Sequence, residues 1–193
     1  MAKKCGLTEK RMSNKRFRKT EEKIFVAVFC CHDFPKVNLV VKKTKISRAT
    51  LYRHHNVLCN IATDYEKYIL DKYSRMIKPY LLNRNNKVKM LFYKTLIFIT
   101  ANKRILAVLI DKNGGIILER MVWRLRKRIV NTYRFPKDSG KIYKIYAKEV
   151  VGVIEVWKDS GFSMKKIEKV LDDIMYLTET AKGRLLPLIE NKK

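Results

Sequence analysis

The chain has 193 residues, 47% of them apolar, and carries 44 Lys+Arg against 18 Asp+Glu for a formal net charge of +26. That length holds one large domain or two small ones, and the apolar fraction supports a packed core. Seven glycines and four prolines are too few for a chain of hairpins, so helices are expected, and the charge draws the chain to polyanions, nucleic acid before an anionic membrane surface.

The opening MAKKCGLTEKRMSNKRFRK is basic and polar without an apolar run, unlike a secretory signal. Residues 1–18 read as a flexible basic arm, and Lys15, Arg16, Arg18 and the adjoining Lys19 are candidate phosphate or minor-groove contacts. A first helix is expected from Thr20 as N-cap, with Glu21 and Glu22 at the positive end of its dipole and Ile24, Phe25, Val28 and Phe29 on one apolar face. Cys30-Cys31-His32-Asp33 offers metal-binding atoms, but consecutive helical residues point about 100° apart, so no metal site is expected. Cys5, Cys30, Cys31 and Cys59 form no Cys-x-x-Cys pair, which suits a reduced, cytoplasmic setting.

Pro35 opens a second, short helix with Val37, Val40 and Val41 apolar. Ser47 is the N-cap of a third, reaching His54. Asn56 caps a fourth, connecting helix over 57–78, whose residues Leu58, Ile61, Ala62, Tyr65, Tyr68, Ile69, Tyr73 and Met76 recur every three or four positions until Pro79 stops it. In the second part, 80–193, Val88, Leu91, Phe92, Leu96 and Ile99 mark a buried helix, and Ile105–Ile110 a short one ended by Asn113-Gly114-Gly115. Leu118, Val122, Leu125, Ile129 and Tyr133 share one face of the next, with Arg120, Arg124, Lys127 and Arg128 largely elsewhere. Phe135–Gly140 is a loop, a long helix runs from Ile142 to Trp157 and ends at Ser160-Gly161, and Ser163 caps the last helix with Ile167, Val170, Leu171, Ile174 and Met175. The apolar runs near Met90–Thr100 and Ile105–Ile110 are too short and interrupted to span a bilayer.

The segment from Lys36 to His54 is a short helix, a tight turn and a second short helix. That arrangement fits a helix-turn-helix, whose second helix enters the major groove with its N-terminal residues at the base edges. Lys36, Lys45, Ser47, Arg48, Ala49, Thr50, Tyr52, Arg53 and His54 are then the DNA-facing candidates, and Ile46 and Leu51 the inward anchors. Arginine pairs with guanine or phosphate, the hydroxyls and imidazole with phosphate, and a small Ala49 admits close approach or a thymine methyl. The same residues also suit the solvated face of an ordinary helical bundle.

Ile46-Ser47-Arg48-Ala49-Thr50-Leu51-Tyr52-Arg53-His54 resembles the recognition helix of the tetracycline-repressor-like (TetR/AcrR) transcriptional regulators, with its Thr-hydrophobic-Tyr-x-His ending. The order of the flanking helices is similar too, and the segment Tyr146–Trp157 with the helix after Ser160-Gly161 resembles the last two helices of one branch of that family. The resemblance implies an all-α fold: an N-terminal three-helix helix-turn-helix DNA-binding domain over 19–62, joined by a long helix to a C-terminal helical ligand-binding and dimerisation domain. The chain departs from the family at Lys45, where relatives carry a small residue, and at His55 and Leu58, where they carry phenylalanine and a phosphate-binding lysine.

By that resemblance Val150, Gly152, Val153, Ile154, Trp157, Ile167, Val170, Leu171 and Ile174 form a subunit seam, in which Gly152 permits close helix contact. Met90, Phe92, Tyr93, Phe98, Met121 and Trp123 either line an effector cavity or are plain core. With three histidines, two of them assigned to the DNA surface, no enzyme active site, metal or cofactor is expected. The expectation is a homodimeric repressor that reads a near-palindromic double-stranded operator and is released by an effector. The alternative is a nucleic-acid-binding accessory or structural protein without small-molecule control. It draws on the basic C-terminal part: residues 1–56 hold 15 basic and 4 acidic side chains, and the remainder 29 and 14.

Overall fold

The computed structural model describes residues 12–29, 36–55, 61–83, 87–113, 115–133 and 140–190, apart from the side chains at 29, 62, 112, 113, 142 and 182–190. Phe29, Cys30–Asp33, Pro35, Asn56, Leu58, Ala62, Gly114 and the loop 135–139, all named above, thus lie wholly or in their side chains outside the described residues. The fold is all-α. Among the described residues there are nine α-helices and no strand: α1 Lys15–Phe29, α2 Val37–Thr44, α3 Arg48–His54, α4 Ile61–Leu82, α5 Val88–Ala101, α6 Lys103–Asn113, α7 Ile116–Tyr133, α8 Gly140–Asp159 and α9 Ile167–Glu190. None is long and apolar enough to cross a membrane.

The chain divides into two compact units, residues 1–71 and 72–193, so the division falls within α4 rather than near 80. In the first unit Ile24 and Phe25 of α1, Val40 of α2, Leu51 of α3 and Ile61, Tyr65 and Ile69 of α4 are fully buried. Each large apolar side chain so buried contributes about 1.5–3 kcal/mol. Helix α1 starts five residues earlier than Thr20. Asn14 is its cap: its Oδ1 accepts from the backbone N–H of Arg16 at 3.0 Å and of Phe17 at 3.1 Å. Thr20 is interior and donates its hydroxyl back to the Arg16 carbonyl at 3.1 Å. Lys15, Arg16, Arg18 and Lys19 therefore project from a helix, not from a flexible arm.

In the second unit α5 packs on α7 and α9, and α8 lies against both α7 and α9. Its buried tyrosines are each satisfied: Tyr73 Oη meets Thr95 Oγ1 at 2.9 Å, Tyr143 donates to the Val122 carbonyl at 2.9 Å, and Tyr146 Oη meets Thr178 Oγ1 at 2.7 Å. Burial pushes all three hydroxyls above the ordinary tyrosine range, so they stay neutral donors.

Pro79 does not stop α4, which continues to Leu82. A proline this near the C-terminus removes only the bond to the carbonyl four residues back, a local loss, while Ile77 beside it is buried. Gly115, at φ 78°, turns α6 into α7; a Cβ there would lie 2.4 Å from Glu155 Oε1 and 2.9 Å from Val151 Cγ1. After α8, Gly161 and Phe162 both have positive φ, and Ser163 makes no side-chain cap. The chain passes through a 3-10 turn, Met164–Lys166, and the Ser163 carbonyl instead accepts from Trp157 Nε1 at 3.0 Å.

Candidate nucleic-acid interface

Helices α2 and α3 are joined by Lys45-Ile46-Ser47. Lys45 holds φ 55° and ψ 34°, the left-handed conformation that a small residue would take at less cost, and its N–H closes on the Val41 carbonyl at 2.9 Å. Ser47 caps α3: its Oγ accepts from the Thr50 N–H at 3.0 Å and lies 2.9 Å from the Thr50 hydroxyl. With Leu51 fully buried, Arg48, Ala49, Tyr52 and Arg53 are left exposed on the opposite side, Tyr52 at 50%. Ser47, Lys45 and Lys36 are exposed as well, and Thr50 is half-buried by its cap role. Arg48 Nη2 donates to Asn38 Oδ1 of α2 at 2.5 Å, which ties the first arginine of α3 to the preceding helix.

His54 does not belong to that surface. It is 8% exposed, its Nδ1 lies 2.6 Å from Glu21 Oε1, and its ring stacks on Phe17 of α1 at 4.3 Å. His55 is 3% exposed and its Nε2 lies 2.7 Å from Glu21 Oε2. One fully buried carboxylate thus accepts from two imidazoles, one per oxygen, which fixes the N–H positions at Nδ1 of His54 and Nε2 of His55. The physical reason for the correction is angular. Residue 54 lies three positions after Leu51 and shares its inward face. The stack brings Phe17 to the end of α3, so its sequence neighbours Arg16 and Arg18, both exposed, flank that end.

Because α1 begins at Lys15, Glu21 is not at the positive end of the helix dipole but in the interior of the helix, and its partners are His54 and His55. The signal was present: Phe17, Glu21, Ile24, Phe25 and Val28 form one helical stripe, and an acid on an apolar stripe requires buried donors. Beside it, Tyr65 is fully buried against Phe25 with ring centroids 4.2 Å apart, and its hydroxyl has no hydrogen-bond partner. Burial, and secondarily the charge of Glu21, pushes that hydroxyl far above the usual range. Among the described residues no group of three or more His, Cys, Asp or Glu is arranged to hold a metal ion, and Cys30–Asp33 lie outside them.

The two C-terminal expectations fare differently. The cavity candidates are not gathered: Phe98, Phe92 and Met121 are core, Tyr93 is half-buried, and Met90 and Trp123 are 43% and 45% exposed. A groove of about 320 Å³ exists elsewhere, between α8 and α9, with Val153, Val156, Trp157 and Val170 among its lining. The subunit-seam residues Val150, Ile154, Trp157, Ile167, Val170, Leu171 and Ile174 are buried within one chain, because α8 and α9 pack on each other. Only Gly152 and Val153 of that set are half-exposed. The apolar residues that α8 and α9 present outward are instead Ile145, Val156 and Tyr176, at 61%, 72% and 68% exposure.

Compared with protein-family models, curated proteins and solved structures, the chain matches none.

Proposed function

We propose that the chain is a sequence-specific DNA-binding transcriptional regulator, a homodimeric repressor of the tetracycline-repressor-like type. The observation that carries this reading is the two-sidedness of α3: a serine-capped helix anchored by Leu51 and His54 turns Arg48, Ala49, Tyr52 and Arg53 outward. A helix so held fits a major groove with Arg48 nearest the base edges. Lys15, Arg16, Lys19 and Lys36 supply phosphate contacts that position but do not specify. Two copies pair through the outer side of α8 and α9, where Ile145, Gly152, Val156 and Tyr176 lie, and read two halves of a near-palindrome. An effector releases the DNA by binding the two states unequally.

The test is binding to DNA from the protein's own promoter region against scrambled DNA, across a salt series. Arg48→Ala is expected to cost about 1–3 kcal/mol on the specific site alone, and Lys19→Ala to weaken all sites alike. A steep salt slope with no preferred sequence overturns the reading. For the dimer, Gly152→Arg is expected to give monomers in sedimentation without loss of helix content, since a Cβ at 152 meets nothing within 4 Å. A dimer that persists removes this pairing surface.

The second reading, an accessory nucleic-acid-binding protein without small-molecule control, is favoured by one observation. Residues 72–193 carry 28 basic and 11 acidic side chains, a charge of +17 that an effector-binding half does not need.

A further inference from the structure

Cationic charge in the 72–193 unit is concentrated rather than spread. Between Arg120 and Lys148 the chain has ten basic residues and one acidic, Asp138. Among them Arg124 Nε donates to Ser74 Oγ at 2.6 Å, and Arg128 reaches the Asn83 carbonyl at 3.5 Å. Arg120 and Lys127 on α7 and Lys141, Lys144 and Lys148 on α8 are all exposed. Positions 120, 123 and 127 form one stripe on α7, and 141, 144 and 148 one on α8.

Trp123 lies edge-on to Tyr143 with centroids 5.4 Å apart, and Arg126 sits 4.8 Å over the Trp123 ring and 5.9 Å from Tyr143. These contacts set an exposed indole and a guanidinium on the α7–α8 seam, whose two helices each carry exposed cations.

We propose that this α7–α8 face binds single-stranded nucleic acid, with a base stacking on Trp123 and the flanking cations tracking the phosphates. An aromatic platform in a cationic channel is what an unpaired strand requires, since its bases are free to stack. A lipid surface fits less well. The apolar residues of α7, Leu118, Val122, Leu125 and Ile129, are buried in the unit, which leaves Ile116, Trp123 and, beside the α8 lysines, Ile145 as large exposed apolar side chains, too few to embed in a bilayer. A duplex fits less well, because its stacked bases offer Trp123 nothing. The inference stands apart from the α3 reading, and uses neither its residues nor its specificity.

The test uses the full-length protein and the Trp123 emission, since the other tryptophan, Trp157, is buried. Titration with oligo(dT) and oligo(rU) is expected to quench emission saturably, and the tighter of the two identifies the natural strand. Trp123→Phe is expected to abolish the quench, Trp123→Ala to weaken binding at least about 5-fold, and Lys127→Glu with Lys144→Glu to flatten its salt slope. An Arg48→Ala, Arg53→Ala protein is expected to keep the quench. Three results overturn the proposal: no quench by either oligomer, equal binding of duplex DNA with unaltered Trp123 emission, or a blue shift on phosphatidylserine vesicles without an oligomer response.

Discussion

Glu21→Ala is expected to unfold most of residues 12–71 under conditions where the parent is folded. The carboxylate is 0% exposed and accepts from two imidazole N–H groups on residues that are themselves 8% and 3% exposed. A buried donor that loses its acceptor costs about 1–3 kcal/mol, and here two donors lose theirs at once while a cavity opens beside Phe17. Domains hold only about 5–15 kcal/mol in total. Glu21→Gln keeps the shape but offers one acceptor oxygen, so one imidazole faces an amide N–H; a smaller loss is expected. Both tryptophans lie in the 72–193 unit, which allows the effect to be localised. In urea, far-UV circular dichroism should lose helix at lower denaturant for Glu21→Ala, with little change in the tryptophan transition. A circular dichroism midpoint equal to the parent's would show that the clamp adds nothing.

Trp157→Ala is expected to destabilise the 72–193 unit by about 3–5 kcal/mol. Trp157 is 2% exposed, lies edge-on to Phe162 at 5.2 Å and donates Nε1–H to the Ser163 carbonyl. Its truncation opens a void at the corner between α8 and the 3-10 turn and leaves the Ser163 carbonyl with only the Lys166 N–H, at 3.1 Å, as donor. Trp157→Phe, which keeps most of the volume, is expected to lose about 0.5–1.5 kcal/mol through the hydrogen bond, since the Lys166 N–H still satisfies the carbonyl. Urea denaturation followed by circular dichroism separates the cases. If Trp157 were a subunit contact, Trp157→Ala would lower the sedimentation mass at unchanged monomer stability.

Periodicity was sufficient where a helix has one partner face. In α5 and α7, nine of the ten residues that share the apolar spacing, among them Leu91, Leu96, Val122 and Leu125, are buried, and the tenth, Tyr133 at the end of α7, is half-buried. Termini were harder, because Asn14 and Thr20 are equally good caps and only the packing of Phe17 on His54 decides between them. Pro79 does not end its helix because, one turn from the C-terminus, a proline removes only one backbone bond. The seam residues of α8 and α9 were legible as apolar, but an apolar stripe is the same whether it meets its own chain or a copy. The surface of α3 was legible from its spacing except at His54, whose polarity concealed an inward position that its distance from Leu51 required.

Gly115 has a consequence for inheritance. Every single-base change in a glycine codon that alters the residue adds at least a Cβ, and at 115 that atom meets Glu155 Oε1 at 2.4 Å with φ at 78°. Gly152, a helix away, has no neighbour within 4 Å of the same added atom. A point mutation at Gly115 is therefore strained by its backbone and must displace Val151 and Glu155, a cost borne in folding, while one at Gly152 meets no such barrier and is judged by function.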